Sequence, residues 1–303
     1  MLAGMSRHPE FEPILAWDAR PETRDRVAQE YPSIRIAEGP EQLASSPVDL
    51  VYIATPPSTH LEYAALAARH GKAVLCEKPL AADLDESRRV VREVADRGIR
   101  NAVNFSMASY PAVATVERIL REGSPGTPIR LEMRFHFQEW PRAWQAGAAG
   151  WLAKRAEGGF VREVVSHFVY LTHRILGRSK VVASKVRYPG GEGSETFVDA
   201  NLEAGGLPIA VVGGVGGAAP DYNEWTLYAT ERSIRLQDWS RLRIADRGRW
   251  HDAMPEREAK PHLGDQLDSL ADMLAGRPHP LPDFAAGLEV EEVIEGILRC
   301  PAA

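Results

Sequence analysis

Cysteine is nearly absent from this sequence: 303 residues hold two, Cys76 inside an apolar run and Cys300 near the end. That scarcity argues against a disulfide framework or a cysteine-built zinc site. Long hydrophobic runs are missing too. No apolar stretch approaches the roughly 20 residues of a membrane helix, and the first residues lack the charged start and apolar core of a secretion signal. Positive charge is not in excess, since 42 acidic residues against 36 basic ones leave a net charge of -6. A nucleic-acid partner would call for a basic surface. Repeats and low-complexity tracts are also lacking. These absences point to a cytoplasmic protein with no membrane or nucleic-acid partner, and the length, at 44% hydrophobic residues, favours two domains.

What is present falls into two grammars. In the first half, short apolar runs alternate with helical segments. EPILAW ends at Asp18, and PETRDRVAQEY then places Pro21 in a first helical turn. VDLVYIAT (48 to 55) reads as a strand, followed by the amphipathic HLEYAALAARHG, with Ser58 as the expected N-cap and Gly71 beyond the helix end. AVLCEKPL (73 to 80), the helical DLDESRRVVREVADRG and the strand IRNAVNF follow. Near-continuous apolar strands separated by helices predict a parallel sheet covered on both faces.

After Tyr110 the pattern changes. TPIRLEMRFHFQ (127 to 138) alternates polar and apolar residues, as a strand with one solvated face does. A helix over FVREVVSHFVYLTHRILG is followed by strand candidates VVASKVRY, ETFVDANLEA, PIAVVGGV, EWTLYAT and SIRLQDW. The expected architecture is an α/β Rossmann-like domain over residues 1–111 and an α+β domain over 112–303 with an open, mostly antiparallel sheet. DQLDSLADMLAG and LEVEEVIEGILRC return to helix, and are expected to pack back on the first domain.

A doubly wound nucleotide-binding domain opens with a strand, a Gly-x-Gly-x-x-Gly turn and a helix, and carries an acidic residue about 20 residues on. With Asp18 as that acid, the glycines fall before Met1, and MLAGMSRHPEF becomes the remainder of the first helix. Either the start lies upstream, or the protein lacks its first strand and phosphate turn. Asp18 has a structural alternative as a strand-end or capping residue. The glycine cluster AVVGGVGGAAP (210 to 220) lies between two strand candidates and reads as a sheet bend rather than a phosphate cradle.

The order IATPPSTH (53 to 60), CEKPL (76 to 80), GGFVREVVSHF (158 to 168) and LEVEEVIEGIL resembles the glucose-fructose oxidoreductase and inositol dehydrogenase family, Gfo/Idh/MocA. The resemblance implies a Rossmann domain binding NAD or NADP, and a second domain whose open sheet serves homo-oligomerisation. It also implies hydride transfer between nicotinamide and a sugar, polyol or related hydroxy or keto compound. The family's catalytic lysine falls on Lys78, and its turn beside the cofactor on Ala54, Thr55 and Pro56, with Glu77 next to the lysine. The family's histidine falls on His167. Its aspartate position holds Glu163, and the glycine two residues before the histidine is Val165.

The chemistry supports that spacing. Residues four apart on a helix share a face, so Glu163 and His167 can face one pocket. Oxidising an alcohol removes a hydroxyl proton as hydride leaves carbon, which suits an imidazole, and Lys78 would stabilise the developing alkoxide. The structural alternative is an i,i+4 surface pair or a core histidine satisfied by backbone. Tyr110 and Trp151 are candidate substrate contacts, while ordinary packing is the alternative for each of Trp140, Trp144 and Trp151. His60, His136 and His173 have no second ligand at metal spacing and are read as structural or solvated. Asp18 favours NAD by accepting from the ribose hydroxyls, and Arg20 softens the discrimination against NADP. The rival readings are a non-catalytic sensor of sugar or dinucleotide on the same fold, and an inactive truncated product.

Overall fold

The computed structural model describes residues 1–299 except Ala82 and Glu256; Cys300 lies outside the described residues. The chain divides into two compact units, residues 1–104 with 259–285, and residues 105–258 with 286–303.

In the first unit, helix α1 (Leu2–Met5) is a single turn, shorter than the MLAGMSRHPEF helix read from the sequence. Strand β1 (Leu15–Ala16) leads to α2 (Pro21–Glu30), with Pro21 at its first position, and β2 (Arg35–Ile36) pairs parallel with β1. After α3 (Pro40–Ser45) comes β3 (Leu50–Ile53), then a 3₁₀ turn (Pro57–Thr59) and α4 (His60–Arg69). The cap position of α4 is Thr59, so Ser58 is not the N-cap: the 3₁₀ turn takes up the residues that the sequence assigned to the cap. Gly71 closes α4 with φ +70°, a conformation that glycine adopts without a Cβ penalty.

Strand β4 (Ala73–Cys76) is almost wholly buried, as a strand covered on both faces requires. Helix α5 (Leu84–Asp96) starts at Asp83, whose carboxylate accepts from the Asp85 and Glu86 amides at 3.0 Å each, and its buried stripe is Val90, Val91 and Val94. Strand β5 (Asn101–Val103) completes a three-stranded parallel sheet in the order β3-β4-β5.

The second unit opens with α6 (Pro111–Arg121), a helix the sequence did not reveal, and β6 (Pro128–Phe137). The alternation of β6 is realised: Leu131, Met133, Phe135 and Phe137 are buried. A short α7 (Ala149–Leu152) precedes a π-turn (Val161–Val165) that runs directly into α8 (Ser166–Leu176). Strands β7 (Lys180–Arg187), β8 (Phe197–Ala204), β9 (Leu207–Val215), β10 (Tyr222–Ala229) and β11 (Ser233–Gln237) correspond to the five candidates. Two more, β12 (Arg241–Asp246) and β13 (Arg249–Asp252), extend the sheet. Its order is β13-β12-β11-β10-β6-β9-β8-β7, and every pair is antiparallel except β6 with β9. The glycine cluster is a strand and its bend: Gly213 and Gly214 lie in β9, and Gly216 and Gly217 follow with positive φ. One side of the sheet is covered by α8, where the Trp225 indole donates to Thr172 Oγ1 at 3.1 Å.

Helix α9 (Gly264–Leu274) belongs to the first unit. Helix α10 (Phe284–Arg299) joins the second from Ala286 onward and is tied to β7 by the Ser184 hydroxyl donating to Ile297 O at 2.6 Å.

Candidate functional site

The carboxyl ends of β3, β4 and β5 stand level. Ile53 pairs with Cys76, and Cys76 with Val103. The hydrogen-bond ladder continues one step past the strands, with Glu77 N–H donating to Ile53 O at 2.9 Å and Asn104 N–H to Cys76 O at 2.7 Å. Ala54, Glu77 and Asn104 therefore sit abreast at the end of the sheet where parallel α/β proteins hold ligands. Side chains of a strand alternate between faces, so Tyr52, Glu77 and Asn104 share one face, and the chain bends at Lys78.

Glu77 is fixed on that face. Its Oε1 accepts from the Tyr52 hydroxyl at 2.5 Å and from Asn104 Nδ2 at 2.6 Å, and Asn104 Oδ1 accepts from Gln266 of α9. Burial, with the Glu77 charge adding, pushes the Tyr52 hydroxyl pKa well above its ordinary value, so it stays a donor. The residue preceding Lys78 is thus held by two donors, which positions the loop that carries the lysine. Lys78–Pro79 is a cis peptide.

Beside this row, the turn of Ala54, Thr55 and Pro56 has Ala54 and Pro56 exposed, and Thr55 Oγ1 accepts from the Thr59 hydroxyl at 2.8 Å. Asp18, two residues past β1, accepts from the Arg20 amide at 2.8 Å and from Arg20 Nε at 3.2 Å. The Arg24 guanidinium donates to the Asp18 carbonyl at 2.6 Å. Both readings of Asp18 keep support: it caps its own turn, and it presents a half-exposed carboxylate at a strand end.

In the second unit, Glu163 and His167 lie on the segment that begins with Gly158 and Gly159. Neither glycine tolerates a side chain. A Cβ at Gly158 would lie 2.2 Å from Leu152 O, and one at Gly159, with φ +99°, would lie 2.1 Å from Glu195 Oε2. Glu195 serves the helix start by accepting from the Val161 amide at 2.7 Å. Burial raises its carboxyl from the ordinary 4.5 to about 7, opposed by the Val161 amide and by Arg162. Arg162 forms a buried ion pair with Glu295 of α10 at 2.5 Å and donates to the carbonyls of Arg155 and Gly158.

Glu163 falls inside the π-turn, a feature frequent at functional sites. A π-turn rotates successive residues by less than the about 100° of an α-helix, so the backbone keeps Glu163 and His167 on one side. Glu163 Oε1 accepts from Gln145 at 3.3 Å, and Gln145 Oε1 accepts from Arg142 Nε at 3.0 Å. The Arg142 guanidinium lies over the rings of Phe137, Trp140 and Trp144, and its pKa is lowered by burial against the raising influence of Glu163 and Asp221. His167 is 6% exposed, and its ring meets Phe105 and Trp239 edge-on at 5.4 and 5.3 Å.

Tyr110 caps α6, and its hydroxyl donates to Ser106 Oγ at 3.4 Å. Trp151 is half-buried on α7. Trp140 packs against Phe137 and Phe160 and donates its indole N–H to Leu152 O, so it is structural. Trp144 is 74% exposed. His173 bonds Ser179, and burial lowers its pKa to about 4; His136 stacks on Tyr222.

Asn104, Tyr52, Gln266, Arg142, Gln145, Glu195 and Trp239 escaped the sequence reading. Asn104 carried a signal, an amide directly after the apolar end of β5 as Glu77 directly follows AVLC. Trp239 carried none, because its left-handed φ of 72° in the β11–β12 turn appears only with the hairpin.

A parallel sheet with an acid-lysine pair at its carboxyl end, followed in the chain by a mostly antiparallel sheet backed by α8, is a Rossmann-like unit joined in sequence to an α+β unit. Residues 1–105 match GFO_IDH_MocA, described as an oxidoreductase family with an NAD-binding Rossmann fold. Over its first third the chain is thus similar to this oxidoreductase family. It is 31% identical over 162 residues to the 1,5-anhydro-D-fructose reductase of Ensifer adhaerens, covering 52% of this chain and 47% of that protein. It is 35% identical over 106 residues to a scyllo-inositol 2-dehydrogenase (NAD(+)) of Bacillus subtilis, covering 35% and 31%. The matched segments therefore span less than half of those relatives. The fold extends further: a 3-ketoreductase from Actinomadura kijaniata, solved with NADP and TDP-benzene, superposes with a TM-score of 0.82 at 19% identity over 98% of this chain and 91% of that one. Levoglucosan dehydrogenase in complex with NADH and levoglucosan gives a TM-score of 0.80 at 20% identity, over 94% and 86%.

Proposed function

We propose that the protein is an NAD(P)-dependent oxidoreductase acting on a sugar, polyol or related hydroxy or keto compound. The observation that carries this reading is the row at the end of the parallel sheet, where Glu77, held by Tyr52 and Asn104, fixes the loop of Lys78 next to the exposed Ala54–Pro56 turn. The residues fit a dinucleotide at its two ends: the Asp18 carboxylate suits ribose hydroxyls and favours NAD, and the row beside the turn suits the nicotinamide side. The cofactor supplies hydride acceptance or donation at carbon. In oxidation, Lys78 donates to the substrate oxygen and stabilises its developing negative charge. His167 takes the hydroxyl proton as hydride leaves the same carbon, and returns it in the reverse direction. Glu163, joined to Gln145, accepts from a second substrate hydroxyl. Tyr110 and Trp151 are assigned to substrate contact.

The open face of the eight-stranded sheet is the proposed surface for homo-oligomerisation, and the cytoplasm the proposed setting, where nicotinamide cofactor is at hand. Among the described residues no helix is long and apolar enough to cross a membrane.

Fluorescence titration with NADH and NADPH, followed by turnover assays over a panel of sugars and polyols, tests the reading. Binding of NADH and turnover of at least one carbohydrate are expected; binding of neither cofactor refutes it. Lys78→Ala should keep cofactor affinity within about threefold and abolish turnover. The loss expected is at least the factor of about 10² that follows removal of one donor to a developing oxyanion.

A further inference from the structure

His60 is 1% exposed, and both of its ring nitrogens face backbone carbonyls. Nδ1 lies 2.8 Å from Pro79 O, and Nε2 lies 2.7 Å from Thr55 O. A carbonyl oxygen only accepts, and a neutral imidazole has a single N–H. With a neutral ring, one of the two contacts would oppose lone pair to lone pair at hydrogen-bonding distance. Only the imidazolium donates to both. The two carbonyls belong to different loops: Thr55 to the turn after β3, and Pro79 to the loop after β4 that carries Lys78.

We propose that His60 is a positioning residue, a two-carbonyl clamp that in its doubly protonated form holds the Thr55 turn and the Lys78–Pro79 loop at a fixed spacing and loosens when the ring loses a proton. The groups around the ring define the competition. From β4 and its loop come Glu77, which favours the imidazolium, and the neighbouring Lys78; from the β3 turn comes the uncharged Thr55. The start of α4 contributes a positive helix end, which opposes protonation. Burial is the largest influence and lowers the pKa from the ordinary 6.5, against the raising effects of the Pro79, Thr55 and Leu80 backbone and of Glu77. The clamp is therefore complete only below that lowered pKa, and gives up one carbonyl as the pH rises through it. Its effect on turnover rests on the oxidoreductase reading; the clamp itself does not.

Two measurements test it. Proton–nitrogen NMR of the full chain labelled at histidine rings should show, in acid, a ring with two slowly exchanging N–H groups that loses one as the pH is raised to 8. A single N–H on every buried ring at all pH values overturns the proposal. In kinetics, His60→Gln keeps one donor and one acceptor, so it should fold, and its acid-side kcat should fall about fivefold, the equivalent of one net hydrogen bond. The wild-type ionisation below 6.5 should be missing from its pH profile. An unchanged profile overturns the positioning role even where the NMR shows two N–H groups. Absence of turnover in the wild type with every cofactor and sugar refutes the oxidoreductase reading instead, and leaves the NMR result to decide the clamp.

Discussion

Replacing Glu195 with glutamine removes one titrating proton from the start of the helical segment that carries Glu163 and His167. The carboxyl is enclosed at 1% exposure, accepts from the Val161 amide, and has an Oε2 without a hydrogen-bond partner among the described residues. Burial lifts its pKa from 4.5 to about 7. An acid whose folded pKa exceeds its unfolded value keeps its proton longer in the native state, so the stability it contributes is complete below 4.5 and is lost as the pH rises through about 7. At about 1.4 kcal/mol per pH unit, that interval corresponds to about 3 kcal/mol. A domain of this size changes Tm by about 2–4 °C per kcal/mol. Between pH 4.5 and 8 the wild type should therefore lose about 6–12 °C more than Glu195→Gln, in melts followed by near-ultraviolet circular dichroism. Other groups titrate in both proteins and cancel in the difference. Parallel Tm curves would show that Glu195 is not held as a buried acid.

Four further substitutions probe the same scaffold. Gly159→Ala should destabilise the protein by more than about 2 kcal/mol, since the Cβ meets the Glu195 carboxylate at a positive φ. Gly150→Ala, in open space on α7, should change stability by less than about 1 kcal/mol in the same melts. Asn104→Ala removes one donor from Glu77 and strands Gln266; a loss of about 1–3 kcal/mol in denaturant unfolding is expected, and no loss would refute the network. Glu295→Ala leaves the Arg162 guanidinium buried and unpaired and should cost about 3–5 kcal/mol, whereas adding Arg162→Met should recover most of it; equal cost in single and double variants would contradict the pairing.

The alternation of β6 and the unbroken apolar run of β4 were legible because burial on one face or two writes itself directly into residue order. The candidates Lys78 and His167 were picked out by the residues beside them in sequence, CEKPL around the first and the glycines 158 and 159 ahead of the second. What escaped depends on pairing across distance. Arg162 finds Glu295, and Asn104 finds Gln266, through contacts 133 and 162 residues apart that no local pattern announces. Strands β12 and β13 were missed although Arg247 and Gly248 form a hairpin turn with positive φ, because arginines interrupt their apolar alternation. Ser58 misled for a local reason: a 3₁₀ turn shifted the helix start by one residue.

The level ends of β3, β4 and β5 make this sheet unforgiving of insertions and deletions. Side-chain direction has a period of two, so losing one residue between Ala73 and Cys76 would bring Lys78 into the place of Glu77. Tyr52 and Asn104 would then meet an ammonium group in place of the carboxylate they bond. Two losses would restore direction while setting the loop back by about 7 Å, the rise of two strand residues. Point substitutions can therefore adjust this edge by degrees, but changes of length have no small version, so diversification of such a site is confined to the loops beyond the row.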